Sequence, residues 1–381
     1  CIRDSYVGKD YSLGGITLLC KFDGQRVTMA SQIAGADETV SSLYSVKSEQ
    51  ATMLSFDTYN YLVHYFGQPQ GSMADDPNGT LGGDYEFVIS DATADRIELK
   101  GKKYGNRIVM KAFSADQTWK QYLTRIKKVE DDAFFYEYDL RMDGLYTGQM
   151  LRSNYTFIVT YYDEVGKVYQ KTVPFMFTTD GMRFHEPVTI DGQTMQNFVW
   201  KNEEISFVCT DEGATGVKMK GIYIDGYQSY DYYPGTYLMD FYRLNGATNQ
   251  LEVASQEIQL VKNEDGKSYW LKGLEYDILV TYDKPRGGLS ILPQFLKKVQ
   301  GGYVYLAMWD LMNDYVLRSS AIGLISYPTT DGIYLVDNGV WMGEISGFIF
   351  GVYDSQDEEA SFMGYTDAVA AIRLIKKTIE E

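Results

Sequence analysis

The chain has 381 residues, 45% apolar and 23% charged, with a formal net charge of −17 from 52 acidic and 35 basic residues. This length exceeds what one hydrophobic core usually serves, so two domains are expected, and the ordinary apolar content argues for folding almost throughout. The acidity repels phosphate backbones and anionic lipid surfaces, and no Lys/Arg-rich stripe interrupts it, so nucleic acid is excluded as an expected partner.

The first residue, Cys1, fits two readings: the lipid-bearing start of a mature bacterial lipoprotein, or a start inside a longer chain. Patterned structure begins almost at once, in "CIRDSYVGKDYSLGGITLLCKF", where a lipoprotein would normally have a polar tether. Leu18, Cys20 and Phe22 share one face of a strand, as do Ile205, Phe207 and Cys209. Both cysteines read as buried thiols, and a Cys20–Cys209 disulfide would require neighbouring strands. No run reaches the ~18 apolar residues of a membrane-spanning helix, so any membrane attachment would be through a lipid anchor.

Next comes "TMLSFDTYNYLVHYFGQP", Thr52 to Pro69. Leu54 and Phe56 fall on one face of a short strand, with Ser55 and Asp57 on the other. Asp57 and Thr58 can cap a turn or short helix, after which Tyr61, Leu62 and Tyr65 share a side at helical spacing. Most of these rings read as packing residues. Tyr59 and His64 are the candidates for ligand contact.

The loop "ADDPNGTLGGDYE" gathers Asp75, Asp76, Asn78, Asp84 and Glu86, hard oxygen ligands that invite a calcium test. Aligned from Asp76, the EF-hand register puts Leu81 where glycine is required and Phe87 where glutamate is required. A solvated loop is expected, and no metal site. "RIELKG" from Arg96 and "RIVMK" from Arg107 then read as strands by alternation.

One segment breaks the β rhythm. In "SADQTWKQYLTRIKKVEDD" Ser114 is a candidate N-cap, and Trp119, Tyr122, Leu123 and Ile126 recur at helical spacing. A helix is predicted over about 115–130, with "AFFYEY" as a candidate extension. It separates two β units, about 1–113 and 138–212. "LLCKFDGQRVTMAS" and "PFMFTTDGMRFHEPVTI" share a strand, Asp-Gly turn, strand pattern that reads as a weak internal repeat. Asp-Gly or Asn-Gly occurs ten times in all, the strongest short-range hairpin signal.

A boundary is predicted in "TDEGATGVKMKG", Thr210 to Gly221, dividing an N-terminal β domain (1–212) from a C-terminal one (220–381). "GIYIDGYQSYDYYPGTY" follows, holding Tyr223, Tyr227, Tyr230, Tyr232, Tyr233 and Tyr237. Exposed rings beside polar groups suit sugar faces or a protein partner. Tyrosine also has high β propensity and forms cross-strand pairs, which accounts for the cluster structurally. Tyr227, Tyr230, Tyr232 and Tyr233 are retained as ligand-contact candidates. About eight short strands at regular spacing then suggest a closed or nearly closed antiparallel barrel. The tail "AVAAIRLIKKTIEE" could be a helix or the closing strand.

The fold class expected is therefore mainly β. It combines hairpin-rich antiparallel sheets, an N-terminal lipocalin-like or half-barrel domain with one helix, and a C-terminal β-barrel-like domain.

With only His64 and His185 available, histidine-based catalysis has little room, and no GxSxG elbow accompanies either. "HEPVT" at His185 lacks the second histidine of a zinc motif and carries a proline where the helix should run. No Walker loop, GxGxxG or CxxC spacing appears, and no cofactor is expected. Glycoside hydrolysis needs only two carboxylates. With 52 acidic residues, spacing cannot select a pair.

"LLCKFDGQRVTMAS", "LSFDTYNYLVHYF", "LGGDYEFVI" and "LKGKKYGNRIVM", in that order over residues 10–210, resemble the Bacteroidetes lipoproteins grouped as domain of unknown function 4302. The later "GTY…YWLKGL…VTYD…GGLSILPQ" series is similar to a barrel-like C-terminal module of secreted Bacteroidetes proteins. The resemblance implies export, a lipid-anchored place at the outer membrane or cell surface, and association with glycan- or peptide-uptake systems. It carries no established activity. Family members have more chain before the first strand, so Cys1 keeps both of its readings.

Three functions follow as expectations. The first is a monomeric, non-catalytic envelope lipoprotein that binds a glycan, a peptide or a protein partner in an outer-membrane uptake complex. The second is a glycosidase with paired carboxylates, and the third a structural or adhesive surface protein.

Overall fold

A computed structural model describes residues 2–7, 11–48, 51–67, 81–114, 116–163, 165–357 and 359–377. Cys1, and the Asp75, Asp76 and Asn78 portion of the acidic loop, lie outside the described residues. The chain divides into two compact units, Cys1–Tyr223 and Ile224–Glu381.

The first unit contains two closed barrels of eight strands each. The first is built from β1 (Ile2–Val7), β2 (Gly14–Asp23), β3 (Arg26–Ser31) and β4 (Val40–Ser48). It continues with β5 (Thr52–Phe56), β6 (Glu86–Ala92), β7 (Arg96–Gly101) and β8 (Arg107–Lys111). Each strand pairs antiparallel with the next, and β1 closes on β8. A four-residue helix, α1 (Tyr61–His64), lies between β5 and β6.

Helix α2 (Trp119–Asp132) precedes the second barrel. Its strands are β9 (Glu137–Met142), β10 (Leu145–Ser153), β11 (Thr156–Tyr162) and β12 (Val168–Phe177). They are followed by β13 (Gly181–Ile190), β14 (Gln193–Lys201), β15 (Ser206–Cys209) and β16 (Val217–Ile222). All six residues of β16 pair with β9 to close the ring. The glycine-rich stretch at 210–221 therefore holds the last turn and most of the last strand of this barrel, and the unit runs past residue 212 to Tyr223.

Two of the Asp-Gly dipeptides adopt the geometry that makes them hairpin signals. Asp143–Gly144 and Asp191–Gly192 both have positive φ at each residue, giving two-residue loops between β9 and β10 and between β13 and β14.

The cap of α2 is Thr118, four residues beyond the expected Ser114. The Thr118 hydroxyl accepts from the Gln121 amide while the Gln121 side chain accepts from the Thr118 amide, a reciprocal capping box. The helix stops at Asp132 and does not take in "AFFYEY". Phe135 instead packs on Tyr138 and Trp200 and against Gly221, a position where any β-carbon would meet its ring. Leu123 of α2 packs with Leu19 and Ala30 of the first barrel, whereas Ile126 and Val129 join the second barrel's core.

Both barrel interiors are filled with side chains, as eight strands leave room for little else. The first holds Ile16, Leu18, Cys20, Val27, Met29, Leu54, Phe56 and Phe87. In the second, Phe157 and Phe175 stack at 4.4 Å beside Tyr138 and Phe207. Cys20 and Cys209 are both buried, lie in different barrels and are not joined to each other. The two barrels repeat the same up-and-down topology, but the resembling sequence segments form β2–β3 in one and β12–β13 in the other. These are not equivalent hairpins, so the repeat is one of architecture.

The second unit comprises β17 (Gly235–Asn245), β18 (Gln250–Lys262), β19 (Ser268–Lys272), β20 (Ile278–Asp283) and β21 (Gly288–Ile291). It continues with β22 (Gln294–Val299), β23 (Gly302–Asp310), β24 (Tyr315–Leu317) and β25 (Leu324–Thr329). β26 (Gly332–Asp337), β27 (Gly347–Tyr353) and β28 (Phe362–Lys376) complete it. A closed circuit runs β17–β18–β19–β20–β21–β25–β26–β28 and back to β17. A side sheet, β27–β23–β22 with β24 on β23, branches from β28.

The tail is thus a strand, the closing one. The C-terminal part of β28 pairs with β17 and β26, and its N-terminal part pairs with β27. Without it, two barrel edges would stand unpaired. Among the described residues, no helix is long and apolar enough to cross a membrane.

Candidate functional site

With the barrel interiors packed, exposed chemistry concentrates on loops and rims. At one rim of the first barrel, β5 ends at Phe56 and the chain turns through Asp57 into α1. The turn is pinned to β4: the Asp57 amide donates to the Leu43 carbonyl at 3.0 Å, and the Leu43 amide donates to the Thr58 hydroxyl at 2.8 Å. Asn60 caps α1 by accepting from the Leu62 amide, and its side-chain amide donates to the Ser42 hydroxyl. Leu62 and Val63 are buried in the barrel core, and Tyr61 is held by a hydrogen bond to Glu38.

This anchoring leaves a ledge of rings above it. His64 stacks on Tyr85 at 5.0 Å and lies 5.5 Å from Tyr59. Tyr59 is 64% exposed and Tyr85 45%. The Nδ1 atom of His64 sits 2.9 Å from the Asn60 carbonyl, which orients the ring as part of the ledge. Tyr65, expected on the packed side, is exposed and meets Phe66 edge to face.

Asp57, on the same turn, lines a groove of about 420 Å3 with Gly24, Gln25, Leu43, Tyr44, Ser45 and Val46. Asp57 accepts from the Ser55 hydroxyl at 2.8 Å and pairs with Lys47 at 3.4 Å. Burial acts to raise the Asp57 carboxyl, but the neighbouring Ser45 and Ser55 hydroxyls and the Lys47 ammonium outweigh it and hold the group below the usual carboxylate range. The site therefore combines ring faces with a carboxylate, hydroxyls and an amide, the inventory that binds polyhydroxylated ligands.

The second unit's tyrosines do something else. Tyr233 is 1% exposed and donates to the Gly287 carbonyl at 2.8 Å. Tyr230 stacks on Tyr269 at 4.7 Å and donates to the Ser268 carbonyl at 2.7 Å. Tyr269 donates to the Tyr230 carbonyl, Tyr237 to the Tyr233 carbonyl and Tyr282 to the Gln228 carbonyl. Tyr227 meets the Tyr282 hydroxyl at 3.0 Å. The rings clamp the 227–233 segment onto the barrel through hydroxyl-to-carbonyl hydrogen bonds. Of the four candidates here, Tyr233 has no face to offer a ligand, and Tyr230 and Tyr227 are engaged in the clamp. Tyr232, 39% exposed, remains at the surface with the Lys376 ammonium over its ring.

Other chemistry-bearing residues are committed to structure. The Asp84 carboxylate accepts from the Lys103, Tyr104 and Asn106 amides and the Asn106 side chain, so it clamps the β7–β8 turn. Asp240 and Asp331 come together at Arg373, whose guanidinium donates to both and ties β28 to its neighbours. Among the described residues, no group of three or more His, Cys, Asp or Glu side chains is placed to hold a metal ion. His185 lies on β13 with its ring 4.5 Å from that of Tyr11. Sequence reasoning reached Tyr59 and His64 and read Asp57 only as a cap; Tyr85, Gln25 and Ser45 were missed because they arrive from other parts of the ring.

A family model described as domain of unknown function (DUF4302) matches residues 4–202, and another, described as domain of unknown function (DUF4987), matches residues 210–349. No curated protein and no solved structure matches the chain.

Proposed function

The chain belongs to the family described as domain of unknown function (DUF4302), and from that premise we propose that it is a non-catalytic, glycan-binding protein of the bacterial cell envelope. In this reading it is a Bacteroidetes lipoprotein, lipid-anchored at the outer membrane or cell surface and accessory to an uptake system. The observation that carries the binding role is the exposed Tyr59–His64–Tyr85 ledge, on a turn whose Asp57 lines a groove. A ring 64% exposed on a turn held by hydrogen bonds from the Leu43 amide to Thr58 and from the Leu62 amide to Asn60 is preorganised for stacking on a sugar face. Asp57, Gln25 and Ser45 line that groove with partners for hydroxyls. The envelope address rests on the family resemblance of residues 10–210.

Calorimetric titration of the full chain against a panel of oligosaccharides tests the binding role. Binding by at least one oligosaccharide is expected, weakened roughly tenfold by Tyr59→Ala, the size of effect a lost stacking contact produces. A flat response across the panel, or unchanged affinity in Tyr59→Ala, would remove the basis for this reading.

A further inference from the structure

The ladder between β12 and β13 in the second barrel is short. β12 and β13 share only three register pairs, Phe175–Phe184, Met176–Arg183 and Phe177–Met182, although both strands continue well beyond them. A proline stands on each strand close to where the pairing ends, Pro174 on β12 and Pro187 on β13. Neither can donate a backbone N–H, and prolines belong at strand edges for that reason. β13 is also irregular against β14 between Arg183 and Val188. A cavity of about 420 Å3 opens between the parted strands.

Its lining is chemically distinct from the rest of an acidic chain. Tyr11, from the segment before β2, lays its ring against His185. Lys171 reaches across the opening, its ammonium 3.4 Å from the Thr189 carbonyl. Arg107 and Arg183 are close enough to act electrostatically on His185, with Glu186 opposing them. Burial holds the His185 pKa below its ordinary value. The lining sets Lys171 against Glu186, with Arg107 and Arg183 acting from nearby, so the recess is less negative than the chain as a whole, whose net charge is −17.

We propose that the opening between β12 and β13 binds a small carboxylate-bearing ligand, its carboxylate at Lys171 and its body against Tyr11 and the two prolines. The volume lies within the ~300–1,000 Å3 typical of small-ligand pockets. Two sources carry this chemistry, a uronic acid ending an acidic glycan and the free C-terminus of a peptide. The site lies on a different barrel from the Tyr59 ledge and shares no residue with it, so the proposal goes beyond the glycan reading and does not depend on it.

Titration of the full chain with glucuronate and N-acetylalanine, each against its neutral counterpart glucose or N-acetylalaninamide, tests the assignment. At least one carboxylate is expected to bind roughly tenfold or more tighter than its neutral counterpart, as a charge-assisted hydrogen bond requires. Binding by glucuronate alone identifies the acidic glycan as the source, and binding by N-acetylalanine alone the peptide. Lys171→Met should lose that preference and Lys171→Arg should retain it, while Tyr59→Ala leaves it unchanged. Equal binding of acid and neutral forms, no binding by either acid, or full preference in Lys171→Met overturns the proposal. Thermal unfolding of each variant confirms that the exposed Lys171 position tolerates the change.

Discussion

Gly14 and Tyr155 meet backbone to backbone, forming a parallel bridge between the start of β2 in the first barrel and the β10–β11 turn of the second. A β-carbon on Gly14 would lie 1.8 Å from the Tyr155 carbonyl oxygen, and Gly14 itself has φ +71°. Tyr155 is fixed from the other side, its hydroxyl donating to Glu130 of α2 at 2.8 Å. The approach leaves no room for any residue but glycine.

Gly14→Ala should therefore destabilise the first unit by more than the ~1 kcal/mol that a positive φ alone costs alanine. Gly24→Ala is the matched control, since Gly24 also has positive φ but nothing within 4 Å of its β-carbon position. Denaturant unfolding of both variants should show the larger loss at Gly14. Equal losses would mean that the two barrels shift apart at no cost.

The tyrosine clamp of the second unit yields a contrast between adjacent residues. Tyr233→Phe removes the shorter of two hydrogen bonds to the Gly287 carbonyl, leaving only the Gln228 amide at 3.3 Å, at a cost of about 0.5–1.5 kcal/mol. Tyr232→Phe, at the surface, should stay within about 0.5 kcal/mol of the parent. Chemical denaturation followed by a probe in the second unit separates the two. Similar effects would mean that the buried hydroxyl contributes nothing net.

These examples mark what was legible in the sequence and what was not. Asp143–Gly144 and Asp191–Gly192 announce their turns because a type I′ loop is a local demand on two residues. Ring closure is not local: β1 finds β8 about a hundred residues away, and no periodicity records that pairing. The Tyr85 partner of His64 is hidden for the same reason. Tyr232 and Tyr233 look alike by composition, and only the strand alternation and the position of Gly287 decide which is buried. Pro174 and Pro187 were a usable signal. Prolines in apparent central strands argue for an interrupted ladder, and that is where the β12–β13 pairing stops.

Cys209 should be chemically silent in the folded chain. Burial pushes its thiol up to about 11, the nearby Asp211 backbone working against that rise and the Asp211 carboxylate, 3.4 Å away, adding to it. At pH 8 only about one such thiol in a thousand is ionised, and the thiolate is the reactive form. Iodoacetamide at pH 8 should leave the Cys209 peptide unmodified under native conditions and label it fully in denaturant. Rapid native labelling at that peptide would contradict the burial.

His185 predicts a pH dependence with a definite sign. Burial disfavours its imidazolium, Glu186 opposes that effect, and Arg107 and Arg183 add to it, so the folded-state pKa lies below the ordinary 6.5. The unfolded chain protonates this ring near pH 6.5. Between the depressed folded value and 6.5 the unfolded state binds more protons, so stability rises with pH across that window and its histidine contribution is level above it. Acidification below 6.5 therefore destabilises the first unit through this residue. His185→Gln removes the titration while keeping a polar side chain of similar reach. Denaturant midpoints at pH 7.5 and 5.5 should differ less in His185→Gln than in the parent, and an unchanged difference would place the acid sensitivity on other groups.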